Sequence, residues 1–179
     1  MLQLAPNYTH AGNCRGLAFG HLKQSPDSIE SCDRAIIAIN PNHASSWVNR
    51  GNILAKLGRQ KECLEVTETA VEINSKFSQA GNKRALAMRR LGRVKQAIAS
   101  DEKSLVCDSK NYESWDNRGD ALAKMGKYKE AHKSIDISLE VKPDYANGIY
   151  NKGYCYACEG KTTLGVDWIA GAIELNRTK

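Results

Sequence analysis

A 34-residue repeat runs through most of the chain. The segment SSWVNRGNILAKLGRQKEC at residues 45–63 returns in large part as ESWDNRGDALAKMGKYKEA at residues 113–131, an offset of 68 residues. Halfway between them, residues 79–97 read QAGNKRALAMRRLGRVKQA, and a further step of 34 residues reaches Gly153 and Gly160. Self-similarity at such a period is typical of arrays in which each repeat packs only against its neighbours. The sequence therefore predicts a repeat array.

Each repeat contains two stretches with helical periodicity, separated by a short turn. In the first stretch small and apolar residues recur at helical spacing, as at Trp47, Gly51 and Leu54, and a second such stretch begins at Cys63. A glycine follows the first stretch in four repeats, and glycine reaches the left-handed conformation that ends a helix without steric cost. These glycines are Gly58, Gly92, Gly126 and Gly160. Because alternating β-branched runs are missing, the predicted fold class is all-α.

Small residues recur in register and predict closely packed helices. Small side chains on facing surfaces let helix axes approach to the short end of the range of about 8–10 Å. The column on the first helix is Gly16, Gly51, Ala85, Gly119 and Gly153. The two columns on the second helix are Ser28, Cys63, Ala97, Ala131 and Gly165, and Ala35, Ala70, Ser104, Ser138 and Ala172.

These repeats resemble the tetratricopeptide repeat family over nearly the whole chain. The family pattern is met by one set of residues in a single repeat: Trp115, Gly119, Leu122, Gly126, Tyr128, Ala131, Ser138 and Pro143. The resemblance implies a right-handed superhelical solenoid of antiparallel helix pairs, with about five repeats. The predicted array is continuous and divides into the tail of a partial repeat at 1–8 and repeats at 9–43, 44–77, 78–111, 112–145 and 146–179.

One irregularity falls in the first repeat. Gly16 and Gly51 are 35 residues apart, whereas the positions equivalent to Pro41 keep steps of 34. The extra residue must therefore lie between Ala35 and Pro41. We expect either a π-bulge near Ile36–Ile39 or a helix that ends one residue later.

Resemblance to the family also implies a binding site. In the family, the first helices of an array line a concave groove that binds peptides or protein segments. The predicted peptide-binding residues are the polar ones that this register turns into the groove: Asn49, Asn52, Lys56, Asn82, Lys83, Arg89, Arg90, Asp116, Asn117, Asp120, Asn151 and Tyr154. Asparagine recurs at one position as Asn49, Asn117 and Asn151, and its amide offers both a donor and an acceptor to a peptide backbone. The alternative is that these amides bond only to a neighbouring helix.

The predicted groove is electrically divided. Lys83, Arg89 and Arg90 make one repeat basic, whereas Asp116 and Asp120 make the next repeat acidic. A partner segment with acidic residues followed by basic ones would complement this pattern, which mainly sets specificity and association rate. Alternatively, the charges neutralise one another across adjacent helices.

A helical-repeat RNA-binding module is the alternative function. The net charge is +6, and a basic column stands where the family usually has leucine: Arg50, Arg84, Arg118 and Lys152. Such a column could meet a phosphate backbone, or each base could pair with a carboxylate of its own or the adjacent helix pair. Acidic groove residues would repel phosphate, and aromatic residues for base stacking are limited to Tyr150 and Tyr154. A protein partner is therefore favoured over nucleic acid.

Enzyme and metal chemistry find little support in the sequence. Cys155 and Cys158 form a C-x-x-C pair, but a second pair and a nearby histidine are missing, and a tetrahedral zinc site needs two more ligands. The segment GKTT at 160–163 imitates the end of a phosphate loop but lies in a repeat turn. We expect no catalytic activity, no cofactor and no bound metal.

The expected location is the cytoplasm. No apolar run approaches the ~18 residues of a membrane span, and the N-terminal residues lack the features of a signal peptide. Six cysteines without framework spacing favour reduced thiols. We therefore expect no membrane association.

The last predicted helix keeps an apolar stripe suited to receiving another helix. Burying one such aliphatic or aromatic side chain gains roughly 1.5–3 kcal/mol. The sequence therefore predicts either self-association through this helix or a chain that is a piece of a longer array. The predicted self-association residues are Trp168, Ile169, Ala172 and Ile173.

Overall fold

The computed structural model describes residues 40–177 of the chain. In that range the secondary structure consists of eight helices without a strand, as the all-α prediction requires. The helices are α1 (Ala44–Lys56), α2 (Gln60–Ile73), α3 (Ser78–Arg90), α4 (Val94–Cys107), α5 (Tyr112–Lys124), α6 (Tyr128–Val141), α7 (Ala146–Cys158) and α8 (Thr162–Arg177).

The chain forms two compact units that meet in sequence at Gly92 and Arg93. In the N-terminal unit, α2 packs against both α1 and α3, and α1 also contacts α3. In the C-terminal unit, α5 packs against α4, α6 and α7, while α7 also packs against α6 and α8. In both units, a helix therefore contacts its partner in the pair and a helix of the neighbouring repeat.

The predicted stop glycines end the first helix of each pair. Gly58, Gly92, Gly126 and Gly160 all have positive φ, between 75° and 84°. After α1, the Arg59 N–H donates to the Leu54 carbonyl at 2.9 Å and the Gly58 N–H donates to the Ala55 carbonyl at 3.2 Å. This is the Schellman pattern, which satisfies the carbonyls that a helix end leaves without partners.

The small-residue columns lie at the helix contacts, as predicted. Gly119 approaches α6 so closely that an added Cβ would lie 2.5 Å from Ile135 Cγ1 and 3.1 Å from the Ala131 carbonyl oxygen. Around these contacts the apolar residues form a core within each unit. The N-terminal core includes Leu54, Leu64 and Val66, and the C-terminal core includes Leu122, Ile135 and Cys155.

Some expectations lie outside the described residues, including the π-bulge near Ile36–Ile39 and the repeat tail at 1–8. Most of the predicted repeat 9–43 lies outside them as well. Among residues 40–177, none of the helices has the length and apolar character needed to cross a membrane.

Candidate peptide-binding surfaces

In the N-terminal unit, the predicted site residues lie on α1 and α3. We call this set the cationic surface, because α1 and α3 carry six basic residues and no acidic one. On α1, Asn49, Asn52 and Lys56 follow an i, i+3, i+7 spacing and therefore share one stripe of the helix. The members of the cationic surface are Asn49, Asn52, Lys56, Asn82, Lys83, Arg89 and Arg90.

Exposure differs among the members of the cationic surface. Lys56 and Arg90 are exposed, and Lys83 and Arg89 are half-buried. Asn82 is buried and has the least surface to offer a partner. The exposed basic groups at the C-terminal ends of both helices are therefore the most accessible part of this surface.

Arg90 also has a contact that the sequence did not reveal. Its Nη1 donates to the Ala55 carbonyl at 3.3 Å, and Gln60 Nε2 donates to the same oxygen at 3.1 Å. The last carbonyls of a helix lack intrahelical partners, so Arg90 of α3 stabilises the end of α1. Replacing Arg90 would therefore disturb packing as well as charge.

In the C-terminal unit, the predicted site residues lie on α5 and α7. We call this set the mixed surface: Asp116, Asn117, Asp120, Asn151 and Tyr154. Asn151 Nδ2 donates to both Asp116 carboxylate oxygens, at 2.9 and 3.0 Å. Lys124 Nζ donates to Asp120 Oδ2 at 3.1 Å. Both buried carboxylates are thus paired within the unit, and the Asn151 amide bonds to a neighbouring first helix.

Tyrosines extend the mixed surface along α7. Tyr150 is exposed, and Tyr154 lies one helical turn later and is half-buried. A hydrogen bond with Cys158 raises the pKa of the Tyr154 hydroxyl, with smaller contributions from the charge of Cys158 and from burial. Tyr154 therefore remains a neutral hydroxyl at physiological pH, able to pack against an aliphatic side chain and to exchange hydrogen bonds.

The basic column pairs with acidic residues of the preceding repeat at both positions for which a contact is defined. Arg118 donates from Nε and Nη2 to Glu102 Oε1, both at 3.2 Å, and from Nη1 to Ser134 Oγ at 2.6 Å. Lys152 pairs with Asp136 and lies over the Trp168 ring, 4.7 Å from its centroid. The paired interpretation is confirmed for Arg118 and Lys152.

A sequence signal for these pairs exists but was missed. In each pair the acidic residue precedes the base by 16 residues. The same spacing relates Glu68 to Arg84. The recurrence of an acid at this spacing was the observation that would have separated pairing from phosphate binding.

The predicted self-association residues of α8 do not all face outward. Ala172 is buried within the C-terminal unit, so including it was wrong: its side chain offers no surface to another molecule. Trp168 is half-buried beneath Lys152, and Ile169 is half-buried too. Ile173 is exposed, as is Val166, which the prediction omitted.

Comparison with known protein families now adds to the register and the helix pairs. Residues 34–65 and 102–133 each match the family model of the tetratricopeptide repeat. The chain is a tetratricopeptide repeat protein. Repeats of this family serve in general as scaffolds for protein interaction. No curated protein matches the sequence.

Solved tetratricopeptide repeat proteins share the fold at low sequence identity. PilW, described as a widely conserved type IV pilus biogenesis factor, is 18% identical with a TM-score of 0.84 over 95% of this chain and 80% of PilW. TTC0263 of Thermus thermophilus is 17% identical with a TM-score of 0.82 over 93% of this chain and 91% of its own. YrrB, described as having an unusual peptide-binding site, is 18% identical with a TM-score of 0.63 over 89% of this chain and 82% of YrrB.

The C-x-x-C pair of this tetratricopeptide repeat protein points in two directions. Cys155 is fully buried in the core, and its nearest polar partner is the Tyr128 carbonyl, 4.0 Å from Sγ. Cys158 is exposed. Among residues 40–177, no group of three or more histidine, cysteine, aspartate or glutamate side chains is placed to hold a metal ion.

Proposed function

We propose that this protein is an interaction scaffold that binds an extended peptide or protein segment, and that its cationic surface selects acidic side chains. The observation that carries the proposal is the charge asymmetry of the N-terminal unit. All four of its acidic residues between 40 and 92 lie on α2, whereas α1 and α3 are purely basic. An acidic segment along α1 and α3 would meet attraction without opposing carboxylates on those helices.

Amide and lysine side chains supply complementary contacts. Asn49 and Asn52 offer donors and acceptors for a peptide backbone, in the same stripe as Lys56. Side-chain charge then adds selectivity and speeds association, while the amides grip backbone of any sequence. The peptide-binding site for which YrrB is named supports the idea that this fold can hold a peptide.

The mixed surface has a different proposed role. Asp116 and Asp120 add negative charge beside Tyr150 and Tyr154, a combination that suits a basic or aliphatic segment. Because these carboxylates would repel phosphate, a single-stranded RNA is the less favoured partner. The distribution of charge therefore favours a protein segment.

Fluorescence anisotropy with labelled probes tests this proposal. The probes are a short peptide alternating Glu and Ser, a matched peptide alternating Lys and Ser, and an oligouridylate of similar length. We expect the acidic peptide to bind most tightly to the wild-type chain. Tighter binding of the oligouridylate, with a steep loss of affinity between about 50 and about 200 mM salt, would replace the proposal with RNA binding.

Paired charge variants localise the site. Lys56→Ser with Lys83→Ser removes two charges from the cationic surface, whereas Lys61→Ser with Lys76→Ser removes two charges elsewhere in the same unit. The first variant should weaken acidic-peptide binding roughly 3–10-fold, because surface charges each contribute modestly. The second variant should stay close to wild type. Equal losses in the two variants would mean non-specific attraction and would contradict the proposed site.

Self-association through α8 is a second proposal. It is favoured by Val166 and Ile173, which are 59% and 53% exposed although both are aliphatic. Exposed aliphatic side chains on one helix favour association, because covering them removes apolar area from water.

A further inference from the structure

The second helix of a pair presents the same three positions to the next first helix. On α2, Leu64 clusters with Ala87 of α3, and Met88 and Leu91 pack against that cluster. On α6, the ring centroids of His132 and Tyr156 of α7 are 4.3 Å apart. We call these three the receiving positions; on α6 they are His132, Ile135 and Leu139.

Leu139 and Ile135 show how tightly this interface closes on α6. Leu139 packs on Gly148 of α7, where an added Cβ would lie 3.0 Å from Leu139 Cδ2. Ile135 is completely buried and shares a core cluster with Cys155 of α7. Receiving positions are therefore covered wherever a first helix follows within the unit.

On α8 the receiving positions are Val166, Ile169 and Ile173, each 34 residues after its equivalent on α6. All three are aliphatic. Val166 and Ile173 are more than half exposed, in contrast to the complete burial of Ile135. These three residues are the receiving face of α8, and it continues an interface that the unit already uses twice.

One change on α8 indicates which occupant this face fits. Where α4 has Glu102 and α6 has Asp136, each paired with a base of the next first helix, α8 has Ala170. A first helix of the same kind would bring its column base to this place and find no carboxylate. The face is thus suited to a helix that is apolar at that point.

The described first helices cannot supply the occupant from a second copy. Their surfaces that meet a receiving face are already covered: Ser46 and Ile53 on α1 are buried, as are Ser114 and Ala121 on α5. The corresponding residues of α3 and α7, such as Ala87 and Cys155, are buried too. Within residues 40–177, the receiving face of α8 is itself the aliphatic helix face that remains exposed.

We propose that two copies of this chain associate through their α8 helices about a two-fold axis, with Val166, Ile169 and Ile173 of each copy in the contact. This inference rests on the proposed self-association and specifies its geometry. A two-fold contact uses the same patch on both copies and closes at the dimer, whereas a head-to-tail contact would continue into filaments.

Sedimentation velocity between about 1 and about 200 µM protein tests the geometry, because the dimer fraction depends on protomer concentration. The wild-type chain should pass from monomer to dimer without larger species. Val166→Lys with Ile173→Lys should raise the dimer dissociation constant at least about 100-fold, since two aliphatic contacts are lost. Circular dichroism should show unchanged helicity, because both residues are exposed.

Leu164→Lys is the matched control. Leu164 is 41% exposed on the same helix, but it lies about 200° around the helix from Val166. This variant should dimerise like the wild type. Loss of dimer in Leu164→Lys alone would place the contact on the other face and overturn the proposal.

The remaining outcomes separate self-association from its geometry. A wild-type chain that is monomeric throughout the series contradicts self-association altogether. Open-ended association that Val166→Lys with Ile173→Lys leaves intact would support self-association but overturn the two-fold contact. Acidic-peptide binding by the lysine variant should equal that of the wild type, so a failure here leaves the peptide proposal standing.

Discussion

The two units of the chain build similar helix pairs but carry charge very differently. Residues 40–92 contain nine basic and four acidic residues, whereas residues 93–177 contain thirteen of each. In the N-terminal unit the two signs are segregated, with no acid on α1 or α3. In the C-terminal unit they are interspersed, and Arg118, Lys124 and Lys152 all pair with carboxylates.

The features that the units share are those that the repeat requires. Trp47 Nε1 donates to the Pro41 carbonyl at 2.8 Å, and Trp115 Nε1 donates to the Ser109 carbonyl at 2.9 Å. Gly58 and Gly126 both have a φ of 75°. Backbone geometry and close packing thus recur, while charge on the first helices is free to vary. This difference teaches that a search for binding specificity in such a chain should begin with the polar positions that depart from repeat to repeat.

The largest expected effect concerns the helix contacts of the two units. An added Cβ at Gly153 would lie 2.7 Å from the Gly165 carbonyl oxygen, which belongs to the backbone of α8. At Gly51 the nearest atom is Thr67 Cγ2, 2.9 Å away and part of a side chain. We expect Gly153→Ala to lower the free energy of unfolding by about 1–3 kcal/mol, because the helices must move apart. Gly51→Ala should cost less than about 1 kcal/mol, since alanine's better helix propensity offsets part of the crowding.

Urea titration followed by circular dichroism measures these costs. Hydrogen exchange of peptides from residues 40–92 and 93–177 would show which unit is loosened. Ala85, which occupies the same column in α3, provides the reverse control: Ala85→Gly should be destabilising. A larger loss for Gly51→Ala than for Gly153→Ala would show that the C-terminal contact adapts more easily than its geometry suggests.

A smaller effect is expected from the ion pairs that distinguish the units. Arg118 bridges two helices and its side chain is 21% exposed, whereas Arg59 pairs with Glu62 three residues away and is 46% exposed. The coupling energy of Arg118 with Glu102 should be about 0.5–1 kcal/mol, and that of Arg59 with Glu62 about 0.3 kcal/mol or less. Double-mutant cycles with alanine measure both. A stronger coupling in the exposed pair would contradict the role assigned to the basic column.

The sequence was sufficient for the repeat framework and insufficient for the partners of its polar side chains. Stop glycines and small columns are predictable because only small side chains tolerate those backbone positions, whatever the neighbouring sequence. The pairing of Asn151 with Asp116, and of Arg90 with the Ala55 carbonyl, depends on rotamers and on a helix 35 residues away. The direction of Trp168 was uncertain for the same reason, since Lys152 and Gly153 decide where its ring packs.

The smallest expected difference concerns the thiols of the two units. Burial raises the pKa of the Cys63 thiol, with Arg90 and Lys83 opposing the shift. Burial, with help from the nearby Glu159 charge, raises the pKa of Cys155 to about 11. At pH 8 only about a thousandth of Cys155 is then a thiolate, and the thiolate is the form that reacts. Exposed Cys107 and Cys158 should be alkylated by iodoacetamide within minutes, while Cys63 and Cys155 should stay unmodified until the fold opens.

Mass spectrometry of digested, alkylated protein measures this order directly. In the N-terminal unit, Lys83→Ser should leave Cys63 as unreactive as before or slightly less reactive, because the lost positive charge was lowering its pKa, whereas urea should make it reactive by removing the burial that dominates. The Gly153→Ala variant should expose Cys155 selectively, since both residues lie on α7 and the variant loosens that helix. Fast modification of Cys155 in the unperturbed protein would mean that the α7 contacts open readily, and the tight packing inferred for the C-terminal unit would then be wrong.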